Sequence, residues 1–421
     1  MKTVIKNVWS NEFYQGGIVL ISGSVIINIL NYLFNFLAAR SLGPSGYGEV
    51  TALLSYIAIT SLPFAILSTI IIQKISAAGV NRTTYAASLE QLFIEKAKKL
   101  LLLFSPLLIF IPFLTQLTNL SSISSYCLVP LIILSFLISF YNAANQGLRL
   151  FFLAMIIATG TTALKFLGAL LTYFHIDGIT TIIFFLFISA LFSLVLSYLL
   201  FHKKTKQNYT KIRKIEKTVF SILLSKQFLI FTLSVTGISL FGTIDIIFIK
   251  KFFSPEMAGI YSSWSLFSKI IFYAVNPLIS LSFIFFSSTE TKNQQKRTLI
   301  VSLIFLLFIG LASYFVYTNF AHMLVAIFFG DRFNPVTQYL GKASIFGSLY
   351  TAMIFINNYF LSKKNLAALI LPLGLPIYVA TLFMIPKEID QIMQLTIMFS
   401  FFIIFLYLLY FFQHYLKIKT K

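Results

Sequence analysis

The chain has 421 residues, of which 58% are apolar, 17% aromatic and only 10% charged, with 48 Phe, 12 Asp and Glu, and a mean hydropathy of +0.90. Soluble chains carry about a quarter charged residues, so too little polar surface remains here to face water, and lipid has to be the solvent. The net charge is +20, and the single Cys, Cys127, excludes an intramolecular disulfide framework.

In chain order, apolar stretches long enough to cross about 30 Å of hydrocarbon fall at 17–39, 50–73, 100–118, 126–147, 150–173, 179–201, 227–249, 259–285, 299–318, 341–361, 366–385 and 391–413. They predict an all-α polytopic membrane protein with twelve transmembrane helices. Lys2 and Lys6 precede a first span longer than a signal-peptide core and without a small-residue cleavage site, which predicts an uncleaved signal anchor. Alternate connections differ sharply in charge: twenty-four Lys and Arg lie on one side and six on the other, with only Lys165 and Lys269 inside spans. The basic side is the cytoplasmic one, which places both termini in the cytoplasm. Basic loops beside an anionic leaflet also account for most of the net charge, so anionic lipids rather than nucleic acid are the expected partners of that charge.

The longest hydrophilic piece, 202–226, divides the chain into an N-terminal lobe at 1–201 and a C-terminal lobe at 227–421, each with six helices. The halves echo one another. Arg40-Ser-Leu-Gly-Pro44-Ser-Gly-Tyr-Gly48 follows the first span and Lys251-Phe-Phe-Ser-Pro255-Glu-Met-Ala-Gly259 follows the seventh, with cation, Pro and Gly recurring at an offset of 211 residues. Pro63 and Pro277, inside the next helix of each half, match to within one turn. An even helix count per half makes the repeats parallel, a plan that transporters use with a binding site near the midplane.

A charge at bilayer depth costs about 2.5–3.5 kcal/mol on insertion scales, so it is kept only where it meets partners, water or a ligand. Lys165 lies in LFFLAMIIATGTTALKFLGALLTYF, with Thr161, Thr162 and Thr172 on or near its face, and Lys269 lies in IYSSWSLFSKIIFYAVNPLISLSF, near Ser262, Ser265 and Ser268. Both are candidates to hold an anionic headgroup; the alternatives are snorkelling and structural ion pairing. Asp245 is either a counter-charge that fixes helix packing or a site for H+ or Na+ coupling. Arg40 and Arg149, at helix ends, are candidates for a gating or substrate role, with snorkelling as the alternative. Ser24, Asn28, Asn31 and Asn35 share one helical face, and Tyr141, Asn142, Asn145, Gln146 and Arg149 do the same near the end of the fourth span. These amides, with Asn357, Asn358 and Tyr359 of the tenth span, either glue helices together or line a cavity with groups that suit sugars.

Absences narrow the class. There is no GxxxxGK[ST] phosphate cradle, so direct ATP-driven pumping is not expected. His175, His202, His322 and His414 lack metal spacing, and no catalytic triad or carboxylate pair can be proposed, so no metal, cofactor or enzymatic activity is expected.

The segments NYLFNFLAARSLGPSGYGEVTALLSYIAI, NAANQGLRLFFLAMIIATGTTALKFLGALL and TIDIIFIKKFFSPEMAGIYSSWSLFSKI resemble the polysaccharide-biosynthesis flippases of the Wzx type, members of the MOP superfamily that includes MATE exporters and lipid II flippases. The resemblance covers essentially the whole chain with diffuse motifs. It implies two six-helix lobes in a V that move a polyprenyl-diphosphate-linked oligosaccharide to the outer leaflet of a bacterial cytoplasmic (inner) membrane. Arg40, Arg149, Lys165, Asp245 and Lys269 fall where that family tends to place lumenal or lobe-interface charges. Twelve helices favour O-antigen or related repeat units, with a polysaccharide polymerase or chain-length regulator as an expected partner. The alternative implied by the superfamily is a MATE-like, cation-coupled exporter of drugs or other small molecules, which the sparse intramembrane acids count against.

Overall fold

The computed structural model describes residues 12–104, 111–174, 176, 178–205, 225–287 and 292–419. Lys2, Lys6, His175 and the 206–224 part of the basic connection lie outside the described residues. Among those described, all regular structure is helical. The first half holds α1 (Glu12–Thr60), α2 (Leu62–Ala77), α3 (Arg82–Phe104), α4 (Ile111–Thr118), α5 (Ser122–Gly147), α6 (Phe151–Tyr173) and α7 (Gly178–Lys204). The second holds α8 (Lys226–Phe241), α9 (Ile244–Phe252), α10 (Pro255–Ser287), α11 (Lys292–Asn319), α12 (Ala321–Phe328), α13 (Leu340–Ser362), α14 (Ile370–Met384) and α15 (Ile389–Lys419). Nine helices among the described residues are long and apolar enough to cross a membrane. The predicted spans at 50–73, 100–118 and 259–285 fall on the end of α1 with α2, on α3 with α4, and on α10.

The chain forms two compact units, one of residues Met1–Leu42 with Ala52–Leu224, the other of Gly43–Thr51 with Ser225–Lys421. The short stretch at 43–51 thus packs in the second unit although its chain neighbours belong to the first. Its entry is a break in α1. Gly43 has φ 68° and ψ −177°, a conformation open to a residue without Cβ, and Pro44 cannot donate the helical hydrogen bond that would run through this point. The equivalent break between α9 and α10 uses extended Phe253 and then Ser254, whose hydroxyl caps the new helix by accepting from Met257 N at 3.3 Å.

The two echoing segments meet inside the second unit. A methyl group on Gly48 would lie 2.7 Å from the Gly259 amide nitrogen, and one on Gly259 would collide with the Pro44 carbonyl. Thr51 Oγ1 donates to Ser262 Oγ at 2.7 Å, again between residues 211 apart. Matching glycines therefore have a packing reason, the close approach of two backbones.

Within that unit α10 and α13 also pack closely, since a methyl on Gly347 would collide with the Ser268 carbonyl. Trp264 stacks on Phe346 at 5.3 Å and donates its indole N–H to the Tyr339 carbonyl at 3.2 Å. In the first unit α3 begins eighteen residues before the span expected at 100–118. Ala86, Leu89, Phe93 and Ala97 are buried at helical spacing while Glu95, Lys96, Lys98 and Lys99 are exposed. This is an amphipathic helix that average hydropathy passes over because its charged face cancels its apolar one.

Candidate functional site

In the first unit, the break-free part of α1 lies beside α6. Lys165 on α6 is part-exposed and donates from Nζ to Asn31 Oδ1 at 3.0 Å, with the Phe34 ring 5.8 Å away. Its partner is a neutral amide, so the positive charge is oriented but not cancelled. Asn35 Nδ2 in turn donates to the Asn31 carbonyl at 2.7 Å, and Ser24, Asn28, Asn31 and Asn35 all keep some exposure. The structure thus brings Lys165 and the α1 amide stripe together. Thr161, Thr162 and Thr172 do not join them, because each hydroxyl donates to a carbonyl of its own helix, Ile157, Ala158 and Gly168 respectively.

The α5 stripe resolves differently along its length. Asn145 is buried and donates from Nδ2 to the Ser197 carbonyl at 2.9 Å, while Asn142 Oδ1 accepts from Ser197 Oγ at 2.6 Å. These amides join α5 to α7, so in this structure Asn145 is a helix-packing group and not a cavity-lining one. Asn357 on α13 is likewise fully buried, donating to Ser234 Oγ at 2.7 Å and accepting from Tyr407 OH at 2.9 Å. In this structure neither Asn145 nor Asn357, both expected as sugar contacts, has an exposed edge to offer. Asn358, one residue on, is part-exposed and makes no hydrogen bond among the described residues. Arg149 is exposed in the left-handed region, φ 63°, and closes α5 through its own N–H to the Gln146 carbonyl and Leu150 N–H to the Asn145 carbonyl. Arg40 is exposed three residues before the Gly43 break.

In the second unit, Lys269 on α10 is part-exposed and makes no hydrogen bond or ion pair among the described residues. Asp245 is the acid whose charge bears on it. Asp245 itself is buried at the start of α9, where Oδ1 accepts from Ile246 N at 2.8 Å and Oδ2 from Tyr261 OH at 2.6 Å. Tyr378 and Thr396, hydrogen-bonded at 3.0 Å, lie in the same buried polar cluster. Of the serines expected near Lys269, Ser262 and Ser268 are taken up by Thr51 and by the Trp264 carbonyl, and Ser265 Oγ is buried without a partner.

One buried ion pair was not among the sequence expectations. Lys250, counted above as a loop cation, is buried and lies 2.6 Å from Glu49 Oε2, itself buried. The pair joins α9 to the 43–51 segment, beside the Gly48–Gly259 contact. The available signal was the intramembrane-adjacent Glu49, one residue after the repeated glycine.

The chain matches the family described as polysaccharide biosynthesis protein over residues 13–290. No curated protein sequence matches it. Among solved structures it is similar to an inward-facing multidrug resistance MATE family transporter of the MOP superfamily, with TM-score 0.73, 12% identity and coverage of 96% of this chain and 99% of that one. It is also similar to the lipid II flippase MurJ in an inward closed conformation, with TM-score 0.67, 14% identity and coverage of 94% and 87%. The eukaryotic MATE transporter AtDTX14 matches with TM-score 0.63, 10% identity and 96% of each chain. At these identities the likeness is one of fold.

Proposed function

Because the chain belongs to the polysaccharide biosynthesis protein family, we propose that it is a flippase, not an enzyme, that carries polyprenyl-diphosphate-linked oligosaccharide repeat units across the bacterial cytoplasmic membrane by alternating access. In this reading twelve helices span the bilayer, both termini are cytoplasmic, and the cargo is O-antigen or a related surface polysaccharide. Loading comes from enzymes that build the lipid-linked unit, and a polymerase or chain-length regulator takes it on the other side.

The observation that carries the reading is the state of Lys165. It stands in a helix of bilayer length, part-exposed, oriented by Asn31 and paired with no carboxylate among the described residues. Such a charge costs about 2.5–3.5 kcal/mol on insertion scales, which a transient anion can offset. A diphosphate and its sugars cannot cross hydrocarbon unaided, whereas the polyprenyl tail never leaves it. In the first unit Lys165 would contact phosphate oxygens while Asn28, Asn31 and Asn35, which retain exposed edges, would meet sugar hydroxyls; in the second unit Lys269 and Asn358 are proposed for the same two roles. Arg40 and Arg149, both exposed, are proposed to meet the headgroup in a gating or substrate role. Asp245 is the proposed coupling site for H+ or Na+, its carboxylate already held in a buried polar cluster with Tyr261.

Expression in a bacterial strain that lacks its own repeat-unit flippase tests the proposal. Surface glycan should return to at least about half the parental level, measured by immunoblot of surface polysaccharide. The rival reading is a cation-coupled drug exporter, since the same fold is found in a multidrug resistance transporter. It requires resistance to cationic compounds with no restored glycan.

A further inference from the structure

A further titratable cluster lies in the first unit. Glu90, on α3, is buried. Its Oε1 accepts from Tyr141 OH of α5 at 2.9 Å and lies 3.5 Å from His202 Nε2 of α7. His202 stacks on Tyr198 at 4.1 Å, and its Nδ1 lies 3.2 Å from the Tyr198 carbonyl. Behind Tyr141 is an apolar cluster that includes Ile75, Leu89, Phe93, Phe140 and Phe201. On the side facing this cluster α2 presents Leu67, Ile71, Ile72 and Ile75, so the titratable groups acting on Glu90 come from α5 and α7, with Tyr85 of its own helix packed alongside.

The choice of counter-ion is informative. Elsewhere the chain pairs a buried Glu with a Lys, as in Glu49–Lys250, and a lysine keeps its proton throughout the physiological range. Here Lys203 and Lys204 follow directly in sequence and are exposed, yet the group that meets Glu90 is the preceding histidine, one of four in the chain. Imidazole is the side chain that gains and loses a proton between about pH 5 and 8. With Nδ1–H directed at the Tyr198 carbonyl, Nε2 can either donate to the Glu90 carboxylate or accept from the Glu90 carboxylic acid. One hydrogen bond therefore survives in both states, and the proton can reside on either partner. Burial pushes the Glu90 carboxyl above the usual carboxylate range, opposed by the Tyr141 hydrogen bond and the His202 charge.

We propose that Glu90, with Tyr141 and His202, is a proton-binding site through which protons are exchanged with the cytoplasm during transport. The cytoplasmic placement and the link to transport rest on the flippase reading, under which α3 begins in a basic, cytoplasmic connection. The bound proton is exchanged with water without any covalent step, and its arrival supplies the hydrogen bond between Glu90 and His202 that joins α3 to the end of α7.

The test is infrared difference spectroscopy of the full-length protein in lipid between pH 5 and 8, with surface glycan measured in the flippase-deficient strain. A protonated-carboxyl band should titrate in the parent chain and vanish in Glu90→Gln. Its midpoint should rise in His202→Gln and in Tyr141→Phe, because each removes an influence that favours the carboxylate. Glu90→Gln, at normal protein level, should lose at least about tenfold in surface glycan, and Glu90→Asp should retain more. Absence of a Glu90-dependent band would overturn the proposal, as would normal glycan from Glu90→Gln. If the parent chain itself restores no glycan, the transport reading fails, and the band alone then upholds or overturns Glu90 as a proton site.

Discussion

Lys165→Gln and Lys269→Gln should each lower delivery of surface glycan by about 10- to 150-fold at unchanged protein level, while Lys→Arg at the same positions retains most of it. The magnitude follows from the loss of one hydrogen bond to a charged group, worth about 1.5–3 kcal/mol. Gln keeps length and polarity but removes charge, and Arg keeps charge and can grip phosphate oxygens with two donors. Lys165 should show the cleaner effect, because Asn31 holds its ammonium in place from α1 and a Gln amide can keep that neutral contact. Lys269 is under the influence of Asp245, so Lys269→Gln also leaves a buried carboxylate with less compensating charge. Part of its loss should therefore be in stability, separable by thermal unfolding of the purified variant.

The second large effect concerns Glu49 and Lys250. Glu49→Gln or Lys250→Met alone should destabilise the protein by about 3–5 kcal/mol, since each leaves an uncompensated buried charge. The double replacement should cost clearly less than the sum of the two, because it removes both charges together. Thermal unfolding in detergent reads both quantities, and additivity of the two single losses would refute a direct pair. The consequence is local to the 43–51 segment, which this pair, the Gly48–Gly259 contact and the Thr51–Ser262 hydrogen bond hold in the second unit. Gly259→Ala, which drives a methyl into the Pro44 carbonyl, should loosen the same segment without touching a charge.

How far these features were legible differs by their range along the chain. The apolar runs announced helices because lipid contact is averaged over a whole span, and α5, α6 and α7 lie within a few residues of the segments at 126–147, 150–173 and 179–201. The helix at 82–104 was hidden because Lys96, Lys98 and Lys99 mask the stripe of Ala86, Leu89, Phe93 and Ala97 in any windowed average. Repeat-related glycines were visible as a pattern, but the reason for them, a backbone approach between residues 211 apart, required coordinates. Polar pairings were the least legible. Nothing local says that Lys165 meets Asn31, that Asn357 bridges Ser234 and Tyr407, or that Glu90 meets a histidine more than a hundred residues away. A polar stripe on a membrane helix has two physical uses, adhesion and solvation of a cargo, and the same residue types serve both. The α1 stripe kept exposed edges, whereas Asn145 and Asn357 were consumed by adhesion.

The central claim is that charge held at membrane depth binds the phosphates of a lipid-linked cargo. Its most direct measurement is binding of a short polyprenyl diphosphate to the purified full-length protein, compared with the same polyprenol lacking phosphate. The account predicts that the diphosphate binds at least about tenfold more tightly than the alcohol, and that Lys165→Gln/Lys269→Gln abolishes this difference while the alcohol binds as before. Equal binding of the two lipids by the parent chain, or an undiminished preference in the double variant, would contradict it.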